Sequence, residues 1–327
     1  MIPPSVPVDT LRTARLLPWL IAFVLAGASL YLGAMAWSGW HIVVQAFARL
    51  GGGVLLAGAV LACLSYLPRF WRWHLALHVL GEKVAAGFNL RVYLSGLALT
   101  TSPGKVGETL RSVLLAARGV AVRRSLACFL ADRLADVLGV CLLGAVAGWL
   151  LGHVFNVAAA GLLLVALGGF GLRTVVRRPT LTQRWLARAP RRLHSSSRLA
   201  GGALDDWALL WQPARVLAFS LLGSLAYGMQ SAVFAWFCAR MGIVISPARA
   251  IEIFVNATLF GAASMVPGGL GTMEASLVLQ LAEEGVPQAD AISVAIATRV
   301  ATLWTAIAVG LACLASLSGS RGKGGPA

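Results

Sequence analysis

Long apolar runs constrain this chain more than any other feature. Runs near residues 15 to 36, 50 to 68, 126 to 150, 155 to 172, 215 to 238 and 289 to 317 are each long enough to cross a hydrocarbon core as a helix. With 58% hydrophobic and 12% charged residues and a mean hydropathy of +0.81, the chain is more apolar than a soluble core. Its 327 residues accommodate roughly six to eight spans and no fused soluble domain of catalytic size.

Two further stretches, 90 to 117 and 251 to 283, are cut near their middles by Pro103-Gly104 and by Pro267-Gly268-Gly269. Each half is about 12 to 16 residues, or ~18 to 24 Å of helix, too short for a core of ~30 Å. Paired half-helices that go in and come out on one side fit both stretches. The expected fold is therefore an all-α polytopic membrane protein with about six full transmembrane helices plus two re-entrant helical hairpins.

The basic residues give the orientation. Under this topology 20 of the 27 Lys and Arg fall in cytoplasmic segments, among them Arg69, Arg72, Arg118, Arg123, Arg124 and nine arginines from Arg173 to Arg215. Only Arg49, Arg240 and Arg249 fall outside. Reading the broken stretches as single crossings would move the arginine-rich loop outside, against the positive-inside bias. The net charge of +15 is thus read as topological, and nucleic acid is not expected as a partner. Residues 1–14 and 319–327 are expected to be cytoplasmic tails around a transmembrane domain at 15–318, placing the protein in the cytoplasmic membrane. Within that domain 173–214 is a basic cytoplasmic loop whose Trp185, Trp207 and Trp211 suit headgroups. The run from Leu16 to Gly33 exceeds a signal-peptide core and is expected to be retained.

Cys63, Cys128, Cys141, Cys238 and Cys313 show no paired spacing, so neither a disulfide nor a metal site is expected. His74 and His78, one turn apart beside Trp71 and Trp73, have no third ligand and are read as an interfacial aromatic belt. No cofactor is expected, and no ATP-binding glycine loop is present.

The broken stretches resemble each other. Pro103-Gly104-Lys105-Val106-Gly107 matches Pro267-Gly268-Gly269-Leu270-Gly271, an acid follows each (Glu108, Glu274), and an arginine follows in the next span (Arg133, Arg299). The two units, about 50–150 and 215–317, read as an inverted-topology repeat. Such repeats bring their tips together at mid-membrane, where glycine backbone and helix N-termini hold anions.

Eight charged residues fall in membrane segments: Lys105, Glu108, Arg111, Asp132, Arg133, Asp136, Glu274 and Arg299. Charge inside a membrane is costly and needs partners or a wet cavity. The set sums to zero, so mutual pairing is one account of it. Asp132 and Asp136, one turn apart, are placed to orient a guanidinium. The ligand account assigns Lys105, Arg133 and Arg299 to a headgroup phosphate, with Glu108 and Glu274 aligning them and Gly104, Gly107, Gly268, Gly269 and Gly271 shaping the tips. Arg111, nearer the cytoplasm, is expected to snorkel.

At TTSPGKVGETLRSVLL (100 to 115), DRLADVLG (132 to 139), MVPGGLGTMEASLVL (265 to 279) and the late Arg299, the chain resembles the membrane region of the lysylphosphatidylglycerol synthase/flippase family. The resemblance spans about residues 15 to 318. It implies a flippase-type domain that moves an aminoacylated phospholipid, or another phosphate-bearing lipid such as a polyprenyl or glycolipid, between leaflets. The soluble transfer domain of the synthase branch is not expected here, so its activity is not carried over. Two other functions fit the residues: an intramembrane lipid transferase using Glu108 or Asp132 as base, and an accessory subunit docking a lipid-modifying enzyme through the basic loop.

Overall fold

The computed structural model describes residues 44, 48–101, 108–153, 157–178 and 194–319. The first expected span, Trp185, and the tip residues Gly104, Lys105 and Gly107 lie outside the described residues. The described chain is helical throughout: α1 (Gly52–Leu64), α2 (Tyr66–Val79), α3 (Ala86–Gly96), α4 (Leu110–Ala116), α5 (Val122–Leu150), α6 (Val157–Val176), α7 (His194–Leu210), α8 (Pro213–Arg240), α9 (Pro247–Ala263), α10 (Thr272–Glu283), α11 (Gln288–Arg299) and α12 (Thr305–Gly319). Among the described residues, four helical stretches are long and apolar enough to cross a bilayer: Gly52–Val79, Val157–Val176, Pro213–Arg240 and Gln288–Leu317. Helix α5, 29 residues long, holds Asp132, Arg133 and Asp136 in its first half.

The order of elements repeats. In the first unit a 28-residue helix formed by α1 and α2, α3, the segment of Pro103-Gly104, α4 and α5 follow one another; in the second, α8, α9, the Pro267–Gly269 turn, α10 and the α11–α12 helix do so. Helices α9 and α10 close into a hairpin, with the Asn256 amide donating to Gln280 Oε1 at 3.3 Å and Gln280 Nε2 donating to Ile253 O at 3.3 Å. Helices α3 and α4 do the same through Arg111, whose Nε donates to Tyr93 O at 3.1 Å. With 12 residues in α10, the returning arm reaches only ~18 Å.

Ion pairs mark the mouths of both hairpins. Glu82, before α3, pairs with Arg124 at the start of α5 at 3.0 Å. Past the other end of α5, His153 contacts Glu252 on α9 at 3.0 Å, and Arg249 bridges Glu252 at 2.6 Å and Glu284 at 2.8 Å. The two hairpins thus open at opposite ends of α5.

Three expectations need correction. The second span does not stop at residue 68: the helix bends at Ser65, whose hydroxyl donates back to Ala62 O, and runs on to Val79. Arg69 and Arg72 consequently lie on a helix long and apolar enough to cross the membrane and are buried within the protein, at 9% and 1% exposure, rather than exposed in a loop. Trp73 and His74 likewise face inward and share Asn89, which accepts from Trp73 Nε1 at 3.1 Å and lies 2.8 Å from His74 Nδ1. Of that group Trp71 and His78 lie open on the outer face. Within the basic segment, α7 turns Trp207 and Trp211 inward, and Trp211 packs on Gly169 of α6.

Among the described residues packing falls into two large cores, one centred on Phe234, Phe237, Phe254 and Leu277 of the second unit and one on Trp73, Tyr93 and Leu115 of the first together with Trp207 of α7, and a small cluster of Tyr66, Leu97 and Ala306. Outward leucines such as Leu163, Leu164 and Leu167 stay exposed on α6, as a lipid-facing helix requires. Close helix approach depends on small residues: a Cβ at Gly310 of α12 would run into the backbone of Ala98. Gly310→Ala should therefore lower stability by roughly 1–3 kcal/mol, read as a lower thermal midpoint in detergent. Gly228→Ala, with nothing within 4 Å of its added Cβ, should not.

Candidate functional site: a buried charge cluster between the two units

The inward face of α2 carries Tyr66, Arg69, Arg72 and Trp73, spaced three and four apart so that they share one stripe. Helix α5 offers Asp132 and Asp136 to that stripe on successive turns. Arg72 donates through Nε to Asp132 Oδ1 at 2.8 Å, and its Nη2 binds both Asp132 and, at 2.6 Å, Asp136 Oδ1. Its Nη1 reaches Phe219 O of α8 at 3.4 Å, so one guanidinium joins the two units.

Arg133 and Arg111 complete the cluster. Arg133 Nη2 lies 2.8 Å from Asp132 Oδ2, 3.1 Å from Asp136 Oδ2 and 3.4 Å from Glu108 Oε2. At 19% exposure, its side chain is the most open of the set. Arg111 sits 2.9 Å from Glu108 and 3.6 Å from Asp132, over the rings of Tyr93 at 4.0 Å and Trp73 at 5.4 Å. It does not snorkel, correcting that expectation: with 1% exposure, its planar head is held by a carboxylate below and an aromatic face beside it. Thr100 donates to Glu108 Oε1 at 3.2 Å.

Arg299 and Glu274 form a separate pair in the second unit. Arg299 Nε donates to Glu274 Oε1 at 2.8 Å, Nη1 meets Met273 Sδ at 3.3 Å, and Nη2 donates to Gly268 O at 2.6 Å. The guanidinium thereby fastens the proline-glycine tip, where Gly268 (φ 64), Gly269 (φ 63) and Gly271 (φ 79) take left-handed conformations that glycine tolerates best. Gly268 also approaches the first unit closely: a Cβ added there would come within 3.0 Å of Thr101 Cγ2. The tip of the second hairpin therefore abuts the residue that leads into the first.

The structure thus brings Glu108, Arg111, Asp132, Arg133 and Asp136 together, keeps Glu274 and Arg299 as their own pair, and adds Arg69 and Arg72, which the sequence reading had placed in the cytoplasm. Their signal was the shared stripe with Tyr66 and Trp73. Among the described residues no group of three or more metal-ligating side chains is present.

The family profile described as the lysylphosphatidylglycerol synthase TM region matches residues 19–310. The chain belongs to that family. Among curated proteins, none matches it at a significant level. Membership fits the geometry: the family's region takes in both hairpins, the charge cluster and the Arg299 pair, and makes this a multi-pass integral membrane protein with a lipid-related role.

Arg299 and Glu274 offer the cleanest test of buried pairing. Glu274→Gln leaves a buried guanidinium without its counter-charge and should cost about 3–5 kcal/mol. Arg299→Met combined with Glu274→Leu should recover most of that loss in detergent unfolding. A double variant no more stable than the single one would show that the two charges do not depend on each other.

Proposed function

We propose that the protein is a membrane lipid transporter, moving a phosphate-bearing lipid between leaflets by alternating access around the central charge cluster. The observation that carries this reading is the burial of that cluster at the seam of two similarly built units, with Arg72 on one unit bonded to the backbone of the other. Structural ion pairs need no such seam, whereas a carrier needs its polar site where two bodies meet and rock. An aminoacylated phospholipid is the family's model cargo, and polyprenyl or glycolipid headgroups share the same phosphate chemistry.

In this reading the units form an inverted-topology repeat with re-entrant hairpins, six full spans and both termini on the cytoplasmic side of the inner membrane. The short α10 arm and the opposite mouths of the two hairpins support it, as does the basic-residue bias. The protein acts as a carrier rather than an enzyme, because Asp132, Asp136 and Glu108 are each engaged by guanidinia rather than poised as bases. Arg133, the most open of these cations, is the leading headgroup contact, joined by Lys105 from the first tip. Arg299 serves the site by holding the second tip in shape.

Topology is checked with single cysteines in a background without the native five. Val244→Cys and Glu283→Cys should both react with an impermeant thiol reagent from outside intact cells. Lys83→Cys and Arg118→Cys should react only after permeabilisation, and labels on opposite faces within either pair would rule out a re-entrant hairpin.

Transport is checked in liposomes containing fluorescent phosphatidylglycerol and its lysyl ester. Arg133→Gln should slow leaflet exchange about tenfold or more, the loss of one charge-assisted contact, while retaining folded yield. Exchange unchanged in that variant would remove Arg133 from the site.

A further inference from the structure

The buried charges do not cancel. Among the described residues the cluster sets four guanidinia, Arg69, Arg72, Arg111 and Arg133, against three carboxylates, Glu108, Asp132 and Asp136. Arg72, Arg111 and Arg133 each hold an ion pair. Arg69 holds none: its guanidinium lies over the Tyr227 ring at 4.3 Å, and its buried Nε and Nη2 meet no hydrogen-bond partner.

Those two nitrogens form the side-on edge of the guanidinium, the edge that Arg72 turns to Asp132. It is the edge that matches two oxygens of one oxyanion. The aromatic face of Tyr227 covers one side of the plane and leaves the in-plane donors free. Asp136 acts on Arg69 only from beyond ion-pair distance; a buried guanidinium without a contact partner is unfavourable in a membrane interior, and one monoanion would offset the charge excess and engage the unsatisfied donors. Arg69 belongs to the first unit and Tyr227 to the second, so a ligand here sits on the seam.

We propose that Arg69 is the receiving cation of an anion site that takes a singly charged phosphate ester, held side-on by Nε and Nη2 between α2 and α8. The shared chemistry is a phosphate oxyanion, supplied either by a lipid headgroup or by free phosphate. The assignment deepens the transport reading and rests on it only for the view that the ligand is carried. Binding itself is measurable without transport.

The test is thermal unfolding of the purified full-length protein in detergent, titrated with dioctanoyl phosphatidylglycerol, with dioctanoylglycerol and with inorganic phosphate. Ligand that binds the folded state raises the midpoint with concentration. Wild type should be stabilised by the phosphatidylglycerol and not by dioctanoylglycerol, which has the same tails without phosphate. Arg69→Gln should lose the response, and Arg240→Gln, on an exposed helix end, should keep it. If Arg69→Gln does not fold, Arg69→Lys retains the charge without the side-on fork and should weaken apparent affinity about tenfold. A response to inorganic phosphate as well assigns a free-phosphate source, and a response to phosphatidylglycerol alone assigns a headgroup. No response of wild type to either phosphate probe overturns the site, as does an unaltered response in the Arg69 variants or an equal one to dioctanoylglycerol. Phosphate-dependent stabilisation without any leaflet exchange keeps the site and overturns transport instead.

Discussion

Charge in a low-dielectric interior must be matched locally, and much of this fold is arranged to do so. Asp132 alone accepts from Arg72 and Arg133 and lies within reach of Arg111, so it ties α2, α4 and α5 to one point. Such a network contributes little net stability over a well-packed apolar core, because removing several ions from water costs several kcal/mol for each one. What it provides is position. Losing one member leaves the others unbalanced, so α2, α4 and α5 have few alternative arrangements that keep every charge satisfied.

The same constraint shapes the hairpins. A proline-glycine break inside a membrane frees backbone groups that lipid cannot satisfy, so the tip needs partners from protein. In the second unit Arg299 supplies one by donating to Gly268 O, while Thr272 donates to Gly269 O at 3.2 Å. Glu274, in the first turn of α10, neutralises that arginine and sits where a helix favours negative charge.

Much of this was legible in the sequence, because apolar length, proline-glycine breaks and repeat spacing are local signals. The helical spans at 155–172, 215–238 and 289–317 and the broken 251–283 stretch all follow from them. Arg69 and Arg72 were not legible by those means. A hydropathy window averages Tyr66 to Trp73 into a polar margin, and the positive-inside rule then assigns the arginines to the cytoplasm. Their true environment depends on Asp132 and Asp136, 60 to 64 residues away, a long-range pairing that no window contains. The stripe of Tyr66, Arg69 and Trp73 at helical spacing was the one local hint. Arg111 escapes the sequence for a related reason, since its position along α4 says nothing of the Tyr93 and Trp73 rings that hold it.

The two units differ in the charge that surrounds a matching pair. Glu108 with Arg133 and Glu274 with Arg299 keep the same spacing of 25 residues, which marks them as counterparts. Around that shared pair the first unit places Asp132 and Asp136, while the corresponding positions in the second are Thr298 and Thr302, whose hydroxyls donate back to Val294 O and Thr298 O along their own helix. A threonine that satisfies itself within its helix attracts no guanidinium. Arg299 is therefore left to its own tip, whereas Arg133 is drawn into a multi-arginine cluster with Arg72 and Arg111. Of the two matching pairs, one clamps a tip and the other sits within the charge cluster. The seam that joins the units, through Arg72 to Phe219 O and through the approach of Gly268 to Thr101, therefore separates a first unit rich in buried charge from a second that carries a single buried pair, and under the proposed transport reading that asymmetry is what a bound anion would act on.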